Sequence, residues 1–215
     1  MNDGLAGHQT RHHQILLALL DAFKRAYGGA VKYEPADYKD YSDHRPDLAI
    51  FLDRLKAVDL KVFDPIGASA ADAGMRGAHV AFGETRPRAR ALVLGLAERG
   101  HPSEPFNPAT GAGYVAAQEG HYARAPAQGV DAVPALIETF GGVAPELMGM
   151  LQQAAWFRMN RLSKTEYGET TWSARNWLTF VQQRISVAVQ RSVAREIAQA
   201  LGCCPVTDRH GAPAA

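Results

Sequence analysis

Between Arg45 and Phe63, two apolar runs of strand length flank a short polar turn. The first run is Leu48-Ala49-Ile50-Phe51-Leu52. After Asp53-Arg54-Leu55-Lys56 comes the second, Ala57-Val58-Asp59-Leu60-Lys61-Val62-Phe63. Such a pair closes most simply as an antiparallel hairpin. Alternate residues of a strand share a face, so Asp59 and Lys61 lie together, opposite Val58, Leu60 and Val62. Asp47 opens the neighbouring strand and can reach the same side. Two carboxylates and an ammonium group would then converge.

Carboxylate oxygens suit hard cations such as Mg²⁺ and Mn²⁺. Mg²⁺ commonly takes one or two protein carboxylates and leaves the rest of its shell to water and substrate phosphate. Asp47 and Asp59 supply that number, and Lys61 beside them could stabilise charge developing on a phosphate. Taken singly, each residue has a plainer use. An Asp beside a turn caps or solvates it. A Lys on a strand guards an edge, and a strand with one wet face shows the same alternation.

The spacing Pro46-Asp47, then Asp59-Leu60-Lys61, resembles the PD-(D/E)xK nuclease signature. Two further stretches narrow the resemblance. One is Ala135-Leu136-Ile137-Glu138-Thr139-Phe140-Gly141-Gly142 with Pro145-Glu146. The other is Thr170-Thr171-Trp172-Ser173-Ala174-Arg175 with Gln183-Arg184-Ile185-Ser186-Val187-Ala188. Both are similar to the restriction-like endonuclease domain at the C-terminal end of non-LTR retrotransposon reverse-transcriptase polyproteins. The likeness runs from about His12 to Gly202. It implies an αβββαβ core, a Mg²⁺ or Mn²⁺ cofactor held by Asp47 and Asp59, Lys61 as the third catalytic residue, and DNA as substrate. A reverse transcriptase or another mobile-element protein is the partner it implies. Many nucleases of this superfamily donate a Glu from the first helix. This chain has none there, and His12 and His13 are the polar candidates near that helix's start. Keeping Lys61 brings the chain closer to the wider superfamily than to the retrotransposon branch.

Residues 8–27 carry an apolar stripe (Ile15, Leu16, Leu19, Leu20, Phe23) that predicts a helix ended by Gly28-Gly29. A first strand is expected over 30–35 and a third ending at Asp64-Pro65. The loop 36–44, with Tyr38, Lys39, Tyr41 and His44, reads either as substrate-facing or as ordinary surface. A helix is expected from about Pro87 to Arg99, then a turn-rich loop over 101–108. Residues 111–124 read as a helix carrying Gln118 and Tyr122 on one face. That Gln-x-x-x-Tyr is similar to the supporting, DNA-contacting helix of RecB-type nucleases; the plainer reading is one packed Tyr. A fourth strand over 130–140 precedes helices over 144–160 and 171–201. The last has a core stripe of Trp177, Phe180, Val181, Ile185, Val189, Val193 and Ile197.

The net charge is only +1, so no global basic excess marks a nucleic-acid partner. Three local groups could follow a phosphate backbone or simply solvate a helix face: Arg86, Arg88, Arg90; Arg158, Arg161, Lys164; Arg184, Arg191, Arg195. The adjacent Cys203 and Cys204 form no disulfide framework, which suits a reducing, intracellular compartment, nuclear in a eukaryote and otherwise cytoplasmic. No secretory leader or membrane-length apolar run is evident, so no membrane partner is expected.

The expectation is an α/β nuclease core over 8–142, a helical extension over 143–202 packed on it, and a disordered tail over 203–215. The function expected is metal-dependent DNA endonuclease, with homodimerisation open. Two rivals stand beside it: a nucleic-acid-binding module of the same fold without cleavage, and an oligomerising protein built on the last helix.

Overall fold

The computed structural model describes residues 3–63, 90–107, 112–139, 141–170 and 174–203. Phe140, Trp172, Arg86, Arg88, Cys204, the Asp64-Pro65 strand end, the start of the helix expected at Pro87 and all but Cys203 of the expected tail lie outside these residues.

The expected hairpin is present. Strand β2 (Leu48–Phe51) pairs antiparallel with β3 (Leu55–Phe63), with Leu48 opposite Val58. β3 begins at Leu55, inside the stretch read as turn. β1 (Val31–Tyr33) adds antiparallel to β2, and β4 (Val130–Glu138) adds parallel to β3. The result is a four-stranded mixed sheet in the order β1-β2-β3-β4. Pro134 lies in β4, an edge strand, where a missing N–H is tolerated.

Helix α1 (Asp3–Tyr27) precedes the sheet. Helices α2 (Pro145–Phe157), α3 (Lys164–Glu169) and α4 (Trp177–Ala200) follow it. Pro145 opens α2 at a position where its absent N–H costs nothing. Asn176 caps α4 by accepting the Thr179 N–H at 2.9 Å. Ser163 and Glu166 form a reciprocal capping box on α3, a helix the sequence reading did not foresee.

The sheet's two faces carry different loads. Val58, Leu60, Val62, Ala135 and Ile137 face a large core built with Ile15, Leu16, Leu19 and Phe23 of α1, Leu147 and Leu151 of α2, and Trp177, Phe180, Val181, Ile185 and Val189 of α4. The C-terminal helices therefore share the core of the N-terminal helix and sheet. The α4 stripe stops short of the expectation: Ile197 is exposed, and the polar Ser192 is buried a turn earlier. On the other face a smaller core joins Ala57 and Val130 to Tyr41, Val93, Tyr122 and Ala125.

One helix in the sequence reading is absent. Residues 112–118 run extended against 96–99: Leu96 and Gln118 exchange N–H···O bonds of 2.8 and 2.9 Å, and Arg99 and Val115 do likewise at 3.1 and 2.9 Å. The helix expected up to Arg99 ends at Leu94, where Gly95 turns the chain at φ 84°. Gly120 then packs onto it so closely that a Cβ there would lie 2.1 Å from the Gly95 nitrogen. Helical spacing in a Gly- and Ala-rich segment was overridden by this tertiary pairing.

No helix of the described residues is long and apolar enough to cross a membrane.

Candidate active site

β2 ends its pairing with β3 at Leu48↔Val58, and the Asp47 N–H makes one more bond, to the Val58 carbonyl at 3.0 Å. Beyond that point no strand among the described residues pairs with Leu60 on this side. Side chains take over. The Asp47 carboxylate accepts the Leu60 N–H at 2.6 Å, and His12 Nε2 meets the Leu60 carbonyl at 3.1 Å. The same nitrogen lies 3.4 Å from Asp47 Oδ2. With two acceptors before it, Nε2 carries the proton, so His12 orients Asp47 and does not present this nitrogen to a cation. Burial alone would lower the His12 pKa. The Asp47 hydrogen bond and charge, with the Leu60 carbonyl, outweigh it and hold the imidazole above its usual 6.5.

Asp59 and Lys61 share the opposite face of β3, as their alternation requires. Lys61 Nζ donates to Asp59 Oδ1 at 3.0 Å. Asp59 is 6% exposed, and its second oxygen is buried with no hydrogen-bond partner among the described residues. Burial pushes its carboxyl pKa up; Lys61 opposes this, and the neighbouring Asp47 carboxylate adds to it. Lys61 is half exposed, which leaves its ammonium open to a ligand.

Tyr122 closes the site from the smaller core. It is 2% exposed, and among the described residues its buried hydroxyl has only the Ser42 hydroxyl beside it, too loosely placed for a full hydrogen bond. Burial and the charges of Asp59 and Asp47 drive its pKa far above the usual 10. The hydroxyl therefore stays neutral within the field of the two carboxylates. Its position comes from the helical residues 90–94: the Val93 carbonyl accepts the Tyr122 N–H at 3.1 Å, and the Leu92 carbonyl accepts the His121 N–H at 3.0 Å.

The structure thus gathers His12, Asp47, Asp59, Lys61 and Tyr122. It does not gather Gln118, whose side chain is exposed while its backbone pairs with Leu96. Gln118 and Tyr122 share no helix face. Glu138 is fully buried at the end of β4, opposite Phe63 of β3. His13 faces outward, with Nδ1 3.4 Å from the Tyr33 hydroxyl.

A pair of histidines adjoins the gathered residues, and the Lys61 charge bears on one of them, His121, which sequence reasoning missed. The rings of His44 and His121 meet at 3.6 Å between centroids, tilted by 32°. His44 belonged to a loop read as either substrate-facing or ordinary surface; His121 lay hidden in the helix that is absent.

The basic groups resolve largely into ion pairs. Arg158 makes a two-pronged bond to Glu166 at 2.6 and 2.9 Å and lies over Trp177. Arg184 binds Glu169 and Asp21, and Arg90 binds Glu146. Arg161, Lys164, Arg191 and Arg195 remain exposed.

No group of three or more His, Cys, Asp and Glu side chains is arranged as a metal cage among the described residues. Two adjacent carboxylates, one with a buried oxygen that has no partner among the described residues, nevertheless fit an ion of the Mg²⁺ type, which needs only one or two such ligands.

Comparison with known proteins gives no match: no family model, no curated protein and no solved structure matches the chain.

Proposed function

We propose that this chain is a Mg²⁺- or Mn²⁺-dependent endonuclease that hydrolyses DNA phosphodiester bonds, with a PD-(D/E)xK-type site and a restriction-endonuclease-like core. The observation that carries the reading is the Asp59 carboxylate. One oxygen is held by Lys61, the other is buried without a partner among the described residues, and Asp47 stands beside it. A buried carboxylate kept half satisfied costs stability, and such groups concentrate at functional sites.

Asp47 and Asp59 would hold the ion. When bound, such an ion offsets negative charge on the phosphate under attack and makes water a better nucleophile. The chain's own residues supply the rest. His12 fixes Asp47 through Nε2. Lys61 Nζ donates toward the attacking water or a non-bridging phosphate oxygen, where charge develops. Tyr122 adds a buried, neutral hydroxyl within the field of the two carboxylates. Descent from a mobile element belongs to this proposal, carried by the motif resemblances alone.

The test is incubation of the full chain with supercoiled plasmid in Mg²⁺, in Mn²⁺ and in EDTA, beside Asp59→Asn. Nicking or linearisation that requires both metal and Asp59 is the expected result. A folded wild-type chain that leaves the plasmid intact in both metals would sink the proposal and favour a binding module of the same fold.

A further inference from the structure

We propose that the His44–His121 ring pair is the phosphate grip of this site, contacting a backbone phosphate of duplex DNA beside Lys61. The inference rests on the nuclease reading and names the part of the site that holds the substrate.

The pair is built. His44 comes from the loop before β2 and His121 from the segment after the 96–99 and 112–118 pairing, far apart in sequence. One buried hydroxyl ties them together: Ser42 Oγ accepts the His44 N–H at 3.0 Å and donates to the His121 carbonyl at 2.9 Å. The His121 N–H is in turn held by Leu92. Both backbones are anchored, yet among the described residues no hydrogen bond reaches a ring nitrogen of either imidazole. His44 is exposed and His121 half buried, which leaves the pair within reach of solvent.

The location selects the ligand. The charged groups that bear on His121 are His44 from its own loop layer and Lys61 from β3. Asp43, next to His44 in the chain, is engaged by Arg124 at 2.5 Å. Burial, then His44, then Lys61 hold the His121 imidazole below its usual 6.5, so its ring gives up a proton more readily than a free imidazole while the site is empty of phosphate. A phosphodiester seated against the two rings and Lys61 would supply a counter-charge and draw a proton onto His121. This also reconciles a DNA substrate with a net charge of +1: part of the positive charge would appear only with the phosphate.

The experiment uses the full chain and a short fluorescent DNA duplex of mixed sequence. Binding is followed by anisotropy in EDTA, so that nothing is cut, at about pH 6 and about pH 8. Wild type, His44→Gln, His121→Gln and the double variant are compared, each checked by circular dichroism. We expect wild type to bind about tenfold tighter at the lower pH. The double variant should lose most of that pH dependence, and in Mg²⁺ its KM should rise more than its kcat falls. A folded double variant with wild-type affinity and pH dependence would overturn the assignment. Should that variant fail to fold, the exposed single change His44→Gln decides by the same readout. Metal-dependent cleavage with a pH dependence untouched by either change would sink the grip and leave the nuclease standing. A pair-dependent pH effect on binding without cleavage in any metal would do the reverse.

Discussion

The Asp47 carboxylate takes the backbone N–H of Leu60 at 2.6 Å, at the point where β2 no longer reaches β3. A side chain here continues a sheet ladder that the backbone has abandoned. The residue best placed to hold a metal is therefore also part of the scaffold.

Asp47→Ala and Asp47→Asn should part company for this reason. Alanine leaves the Leu60 N–H without its acceptor, at a cost of about 1–3 kcal/mol. Asparagine keeps an acceptor and should leave the melting temperature near wild type while lowering metal-dependent cleavage by about 100-fold or more. Thermal melts beside plasmid assays check both. Equal stability losses for the two changes would refute the ladder role.

Asp59 should cost the fold stability at neutral pH. Its folded-state pKa is raised from 3.8, so the native state holds its proton more tightly than the unfolded chain does. Stability then falls as pH rises from about 4 through the folded value. Asp59→Asn should gain on the order of 1 kcal/mol at pH 7, the gain shrinking toward acid, while cleavage is lost. Melting curves across pH test the sign.

His12 works in the opposite sense. Its folded pKa is raised above 6.5, so its contribution is fully present below that pH and is lost as pH rises through the folded value. His12→Ala should cost about 1 kcal/mol at pH 5.5 and clearly less at pH 9. Denaturant titrations at the two pH values decide it.

Glu166 anchors the C-terminal helices. Burial alone would raise its pKa, but the two Arg158 bonds and the Ser163 N–H at 2.7 Å bring it down to about 2. Its contribution is present above pH 4.5 and lost as pH falls from there toward about 2. Glu166→Ala should cost about 3 kcal/mol, since Arg158 is left half buried and unpaired. A guanidinium melt at neutral pH measures it.

Gly120 gives a test of the site's second wall. A methyl group 2.1 Å from the Gly95 nitrogen must displace backbone. Gly120→Ala should destabilise by about 1–3 kcal/mol and shift His121 and Tyr122 together. Loss of cleavage with most of the stability retained is the pattern expected if those two residues serve the site.

The hairpin, the shared face of Asp59 and Lys61, the first helix and the α2 start were legible in the sequence, because each follows from local periodicity or from a proline or glycine at a fixed place. Local rules also put His12 near a helix start, without saying what it would meet. Only tertiary structure decided that His12 and Asp47 would divide the two backbone groups of Leu60, since that depends on where β2 stops. It alone turned residues 112–118 from an expected helix into an extended segment, because pairing with 96–99 and the Gly95–Gly120 contact outweigh a weak helical preference. That reversal removed Gln118 from the site, kept Tyr122, and brought His121 against His44. Long-range contacts of this kind leave no period in the chain, so the second wall of the site could be read only from the fold.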